Sequence, residues 1–232
     1  MPDNVLEVHN LEKLYGQGDT TVRALKNINF TVKRGEFILI VGSSGSGKTT
    51  LLNMIGLLDR PTSGTMMIDG VDISTLDDGQ LASFRNSKLG FIFQFANLLN
   101  DLTVLENVVL PRKIHGSMEG AEEEAKTLLK TVGLESQLKK FGNKVSGGQA
   151  QRVAITRALI NKPAIVLADE PTGSLDSISA ETTVQLLKSL NRKLNQTFII
   201  ITHDRPQFGE VDKVITIKDG RIIEGELEAS MV

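Results

Sequence analysis

Three short apolar runs stand out along the chain: Phe37-Ile38-Leu39-Ile40-Val41, Ala164-Ile165-Val166-Leu167-Ala168 and Thr197-Phe198-Ile199-Ile200-Ile201-Thr202. None alternates with polar residues, which predicts strands covered on both faces, as in a parallel sheet. Lys48 to Ile55 reads as a helix after the first run, and Ser177 to Leu194 as a helix after the second. Residues 1 to about 36, with Met66-Met67-Ile68-Asp69-Gly70-Val71, predict antiparallel strands, and Asp69-Gly70 is a turn signal. Residues from about 95 to 160 are mainly helical in pattern and predict an inserted lobe. Within it, Met118 to Val132 predicts a helix whose Glu119, Glu122, Glu123 and Glu124 suit its N-terminal dipole, with Gly133 ending it. Lys218-Asp219-Gly220-Arg221 turns a last hairpin. The expectation is an α/β fold with a central, mainly parallel sheet, an N-terminal antiparallel β subdomain and an inserted α-helical subdomain. No repeat or linker divides it, so residues 1–232 are expected to form one domain.

The first apolar run opens onto Gly42-Ser43-Ser44-Gly45-Ser46-Gly47-Lys48-Thr49, followed by Thr50. Strand, glycine-rich loop and helix in that order are the context of a phosphate-binding loop, which makes the expected core that of a P-loop NTPase. Glycines at 45 and 47 let backbone N–H groups close around an anion, and the helix N-terminus adds partial positive charge at the same place. Lys48 is then placed to reach the β and γ phosphates of ATP, and the Thr49 hydroxyl to ligate Mg²⁺. A serine- and glycine-rich surface turn has no need of Lys-Thr immediately before an apolar helix.

The second run ends in Asp169-Glu170, with Pro163 before it and Pro171-Thr172-Gly173 after it. Ligands of parallel sheets bind beyond the carboxyl ends of the strands. Asp169 is therefore expected to support Mg²⁺ through its water shell, and Glu170 to polarise an attacking water.

With Ser146-Gly147-Gly148-Gln149 added, the chain resembles the nucleotide-binding domain of an ABC transporter over nearly its whole length. That tetrad matches the family's signature, Asp169-Glu170 its Walker B and Ser174-Leu175-Asp176 its D-loop. Gln94 stands at the Q-loop position and His203 at the switch position. Glu170 to Asp176 and Leu105 to Pro111 are most similar to the lipoprotein-releasing and macrolide-export branch, with Val145, Ala150 and Ser174 departing from its usual residues. The resemblance implies a homodimer in the ATP-bound state, in which the loop at Gly42 to Thr49 of one copy faces Ser146 to Gln149 of the other. Gln94 can accept from the Mg²⁺ hydration shell or donate toward the attacking water. His203, after a buried strand, can hydrogen-bond a γ-phosphate and hold Glu170 and water in line. Tyr15 matches the family's A-loop aromatic, where stacking on adenine contributes about 1–3 kcal/mol. In Phe91-Ile92-Phe93-Gln94-Phe95-Ala96-Asn97-Leu98-Leu99, Phe91 and Phe93 read as core, and part of the remainder, Leu98 in particular, as a docking groove for a membrane partner.

Composition narrows the partners. A net charge of −2 gives no case for nucleic-acid binding, and the absence of cysteine excludes disulfides and thiol catalysis. The polar start Met1-Pro2-Asp3-Asn4 does not read as a signal peptide, and no apolar stretch approaches the roughly 18 residues of a membrane span. The implied setting is peripheral, on the cytoplasmic side of the membrane, beneath an integral permease contributed by another chain. A GTPase would want an Asn-Lys-x-Asp segment, which is missing. A soluble ABC ATPase of the DNA-repair kind would need a long coiled coil through the middle of the chain, and one of the ribosomal kind two ATPase domains, neither of which the sequence shows. An ATPase that signals through a membrane partner without transport would carry the same motifs.

Overall fold

The computed structural model describes residues 3–223. Met1 and Pro2 of the N-terminal segment and residues 224–232 lie outside the described part. Two sheets organise it. The strands β1 (Asn4–Tyr15), β2 (Val22–Lys33), β4 (Ser63–Ile68) and β5 (Val71–Asp72) form an antiparallel sheet in the order β2-β1-β4-β5. The strands β3 (Phe37–Val41), β6 (Leu89–Ile92), β7 (Ile165–Asp169), β8 (Thr197–Ile201), β9 (Lys213–Lys218) and β10 (Arg221–Ile222) form the second, in the order β10-β9-β3-β8-β7-β6. All its neighbours are parallel except β10, which pairs antiparallel to β9 through the Asp219-Gly220 turn. The helices are α1 (Lys48–Ile55), α2 (Asp78–Lys88), α3 (Val104–His115), α4 (Ala121–Thr131), α5 (Gly147–Leu159), α6 (Ser177–Leu194) and the single turn α7 (Arg205–Phe208).

The apolar runs without alternation behave as a doubly covered sheet requires. Ile38 and Ile40 of β3, Ile165 and Leu167 of β7, and Ile199 and Ile201 of β8 pack toward α1 and the antiparallel sheet, with Leu6, Leu25, Met54 and Ile55. Their alternate neighbours Phe37, Leu39, Val166, Phe198 and Ile200 pack toward α5 and α6, with Ile155, Val184, Leu187 and Phe208. Each strand thus divides its side chains between two cores with a period of two residues.

A third core belongs to the helices between 104 and 160. Val104 and Val108 of α3, Ala121, Ala125 and Leu129 of α4, and Val153 of α5 close on one another away from both sheets. The helix expected from Met118 starts at Ala121, because Gly120 adopts φ +66° as its N-cap. The helix α2 lies in a stretch for which the sequence reading named no element: it is polar, and Leu81 is its only buried residue.

The segment after β6 departs from expectation. Leu98 packs on the helical core, while Phe93, Phe95 and Leu99 are exposed, Phe95 at 65%. The stretch is anchored by buried Asn107, whose amide donates to the Leu99, Leu102 and Thr103 carbonyls and accepts from the Leu99 N–H. These bonds supply partners that an irregular segment cannot supply itself. Phe91 is half-buried and stacks on Phe93 with ring centroids 6.1 Å apart, so Phe93 is not core. Leu98→Asp should therefore lower stability by about 2 kcal/mol or more. Phe95→Asp should change it by no more than about 0.5 kcal/mol. Urea denaturation of both variants checks the pair.

Candidate active site

A cleft of about 660 Å³ opens at the carboxyl edge of the parallel sheet. The loop between β3 and α1 forms its floor. Gly47 is the N-cap of α1 at φ +108°, and a Cβ there would come within 2.8 Å of the Ala24 carbonyl oxygen. Gly45 has φ +75° and open space where a side chain would point. The loop is therefore braced by backbone on one side and bare on the other, the geometry an anion needs for close approach. Gly220 of the β9–β10 turn secures it by donating its N–H to the Ser46 carbonyl, 2.9 Å away.

Lys48 donates to the carbonyls of Gly42 and Ser43 at 2.7 and 2.8 Å, which holds its ammonium over the loop. Asp169, the last residue of β7, and Glu170 line the facing wall with His203, which follows β8. Burial, reinforced by the Glu170 carboxylate, pushes the Asp169 carboxyl above its usual range, and Lys48 opposes the shift. His203 Nδ1 lies 2.8 Å from Glu170 Oε1. That bond, with the charge behind it, raises the histidine above its ordinary value. Glu170 itself has φ +47°, an uncommon left-handed conformation for a residue with a side chain.

The remaining expected residues lie outside this wall. Gln94 sits behind it: the Ser174 hydroxyl donates to its carbonyl at 2.6 Å, and its side chain lies against Gly173. Tyr15 is not among the cleft-lining residues. Its hydroxyl donates to Asp59 at 2.9 Å, the Lys13 ammonium lies 4.8 Å from its ring centroid, and across the β1–β2 pair it faces Val22, which does line the cleft. Ser146 caps α5 in a reciprocal box with Gln149, each backbone N–H donating to the other's side chain, and the Gly147-Gly148 end packs near Leu175 and Ser179. Asp176 caps α6 through the Ser179 N–H. None of these signature and D-loop residues reaches the cleft within the chain. Conversely Val22, Arg23, Ala24, Lys26, Asp219 and Gly220 line it without being expected to. Only the hairpin turn at 219–220 carried a sequence signal, and it said nothing of chemistry.

The donor set fits a nucleotide triphosphate with Mg²⁺. No group of three or more acidic, histidine or cysteine side chains that could cage a metal occurs among the described residues. Mg²⁺ does not need one, since phosphate oxygens and water complete a sphere begun by one hydroxyl and one carboxylate. Thr49 and Asp169 line the same cleft and offer those two groups.

A glycine-rich loop capping a helix, opposed by paired carboxylates at the end of a strand two places along the sheet, defines the class of P-loop nucleotide hydrolases. Residues 25–173 match the family model described as "ABC transporter". The ABC transporter ATP-binding protein MJ0796 of Methanocaldococcus jannaschii is 47% identical over 94% of this chain and 95% of its own. The lipoprotein-releasing system ATP-binding protein LolD of Shewanella frigidimarina is 45% identical over 93% and 91%. The macrolide export ATP-binding/permease protein MacB of Mannheimia succiniciproducens is 45% identical over 95% of this chain, which spans 34% of that longer protein. Among solved structures, a dimeric post-hydrolysis state of MJ0796 bound to ADP and Pi is similar at a TM-score of 0.84 and 43% identity, covering 96% of this chain and 99% of that one. The chain belongs to the ABC transporter family, as its ATP-binding cassette, and is an ATPase.

The Glu170 contact has a measurable consequence. In the folded chain His203 should titrate above the roughly 6.5 of a free imidazole, and Glu170→Gln should return it toward that value. Because the folded value is raised, the contact stabilises the fold below the unfolded value and is lost as pH rises through the folded one. Ring-proton NMR shifts followed across pH 5 to 9 read both.

Proposed function

We propose that the chain works as one ATPase domain over residues 1–232, which dimerises around two ATP molecules and drives a separate membrane permease. The observation that carries this reading is the convergence of Lys48, Asp169, Glu170 and the Glu170-bound His203 on one cleft above a phosphate-binding loop. Gly42 to Thr50 hold the triphosphate through backbone N–H groups, the α1 N-terminus and the Lys48 ammonium. Thr49 and Asp169 would hold Mg²⁺, and Gln94 would serve its water shell. When bound, the ion neutralises charge on the phosphate oxygens. Tyr15 stacks on the base, its phenol tethered by Asp59 at the cleft rim.

Glu170 accepts the developing proton of the attacking water, and His203 keeps that carboxylate aimed while donating toward the γ-phosphate. Ser146, Gly147, Gly148 and Gln149 present a helix N-terminus, and Asp176 lies at the neighbouring α6 cap. Since neither reaches the cleft in its own chain, both serve the partner copy across a two-fold interface. Loss of the bridging phosphate then opens the dimer.

The names of the relatives, lipoprotein release and macrolide export, support an exporter or lipoprotein-release role at the cytoplasmic face of the membrane. No helix among the described residues is long and apolar enough to cross a membrane, which supports attachment through a permease chain. Its docking site is the groove lined by Phe91, Phe93, Leu110, Ile114 and Arg157, continued along the chain by exposed Phe95, two residues after Phe93.

Glu170→Gln should still bind ATP and dimerise on it, but hydrolyse it about 10² to 10⁴ times more slowly. Size-exclusion chromatography with ATP and a phosphate-release assay test this, and normal turnover would remove Glu170 from its role. Tagged and extracted from membranes with ATP, the same variant should bring down a permease. Recovery of soluble partners alone would favour a soluble ABC ATPase instead. Phe95→Asp should leave basal hydrolysis of the isolated chain unchanged while abolishing its stimulation by that permease. Retained stimulation would exclude the groove.

A further inference from the structure

Glu170 carries its carboxylate on a left-handed backbone, φ +47°, that an L-residue with a side chain rarely adopts. Such a conformation persists only where its surroundings over-determine it. Here the Glu170 N–H donates to the Ile201 carbonyl, and the Glu170 carbonyl accepts from the Gly173 N–H, each at 3.0 Å. The turn that follows is fastened at Thr172, whose hydroxyl donates to Gln207 at 2.7 Å.

The remaining fastening comes from a different helix. Gln151 of α5 is 1% exposed, and its Nε2 donates to the Pro171 carbonyl at 2.8 Å and the Phe93 carbonyl at 3.0 Å. Those carbonyls belong to the residue directly after Glu170 and the residue directly before Gln94. A single amide therefore ties together the two segments that bear Glu170 and Gln94. Further along the same helix, Arg157 donates to the Ala96 and Asn97 carbonyls at 2.7 and 2.9 Å, gripping the segment after Gln94 as well. The N-terminal end of α5 is Ser146 to Gln149, so the helix that holds Glu170 and Gln94 in place is the one offered to the partner copy.

We infer that Gln151 is a positioning residue for hydrolysis: its amide clamps the Phe93 and Pro171 carbonyls, keeps Glu170 and Gln94 in register with each other, and links both to the signature end of α5. This rests on the assignment of Glu170 as the water-polarising group. Gln151 touches no substrate. It supplies the two N–H bonds that an apolar residue of the same length cannot.

Gln151→Met keeps the side-chain length and removes both donors. In the ATPase assay its kcat should fall about ten- to a hundredfold, with the KM for ATP within about twofold of the parent. Its His203 ring should also lose the elevated titration, because the 2.8 Å contact reports where Glu170 points. A merely structural role would lower melting temperature and leave both the kcat-to-KM split and the His203 titration unmoved. A folded Gln151→Met with parental kcat, or with reduced kcat and parental His203 titration, would overturn the inference. If that variant does not fold, Gln151→His retains one N–H donor and is read by the same two measurements with the same two outcomes. Glu170→Gln assayed in parallel separates the layers. If it turns over normally, the assignment of Glu170 falls. If it is inactive while Gln151→Met is parental, only the role of Gln151 falls.

Discussion

The chemistry of this chain depends on a parallel sheet that has no free face. With β3, β7 and β8 sending alternate side chains into two separate cores, none of their interior positions is available to a ligand. Polar groups can be placed only where the strands stop. The phosphate-binding loop, Asp169-Glu170 and His203 all leave from the same edge, and because β3, β8 and β7 are neighbours in that order, the three arrive within one cleft. The antiparallel sheet is then recruited from the side. β2 brings Val22, Arg23 and Ala24 to the rim, and the β9–β10 turn fastens the loop from beneath.

The two walls of the cleft hold uncommon backbone in different ways. On the loop side Gly45 and Gly47 take positive φ without a Cβ to oppose it, so the conformation is nearly free. Opposite, Glu170 carries the carboxylate that meets His203, and a left-handed L-residue costs about 1–2 kcal/mol. Neighbours must supply that amount. Buried amides do much of this kind of work here. Gln151 bridges two loops, Asn107 satisfies a third, and Gln196, with half-buried Asn191, closes the Pro163 and Gly35 ends of the strands. An amide suits the task because it offers two donors without a charge to desolvate.

Much of this was legible in the residues. β3, β7 and β8 are runs that no polar side chain interrupts, and α6 spans the expected Ser177 to Leu194. The loop at Gly42 to Thr49 and the carboxylates of Asp169-Glu170 could be placed because each abuts such a run. What stayed hidden depended on distant segments meeting. Nothing near Gln151 marks it as a ligand of Phe93 and Pro171, far from it along the chain. Leu98 and Phe95 are both apolar, and nothing in their own residue types says that Leu98 packs on the helical core while Phe95 stays exposed. The helix α2 escaped notice because one buried leucine leaves no periodic stripe. The rim residues Val22 to Ala24 are ordinary strand residues whose exposure to the cleft follows from sheet packing alone.

The separation of Ser146 from Glu170 gives this economy of supports its direction. Ser146 and Gln149 satisfy each other in their capping box, so the signature end of α5 is complete as local structure without any nucleotide of its own chain. The same helix reaches back, through Gln151 and Arg157, to the loops on either side of Gln94 and to the turn after Glu170. One helix and one buried amide therefore join that exposed end to the turn after Glu170. The supports of the cleft wall are thus rooted in the helix that carries Ser146 at its far end, rather than in any group in the cleft.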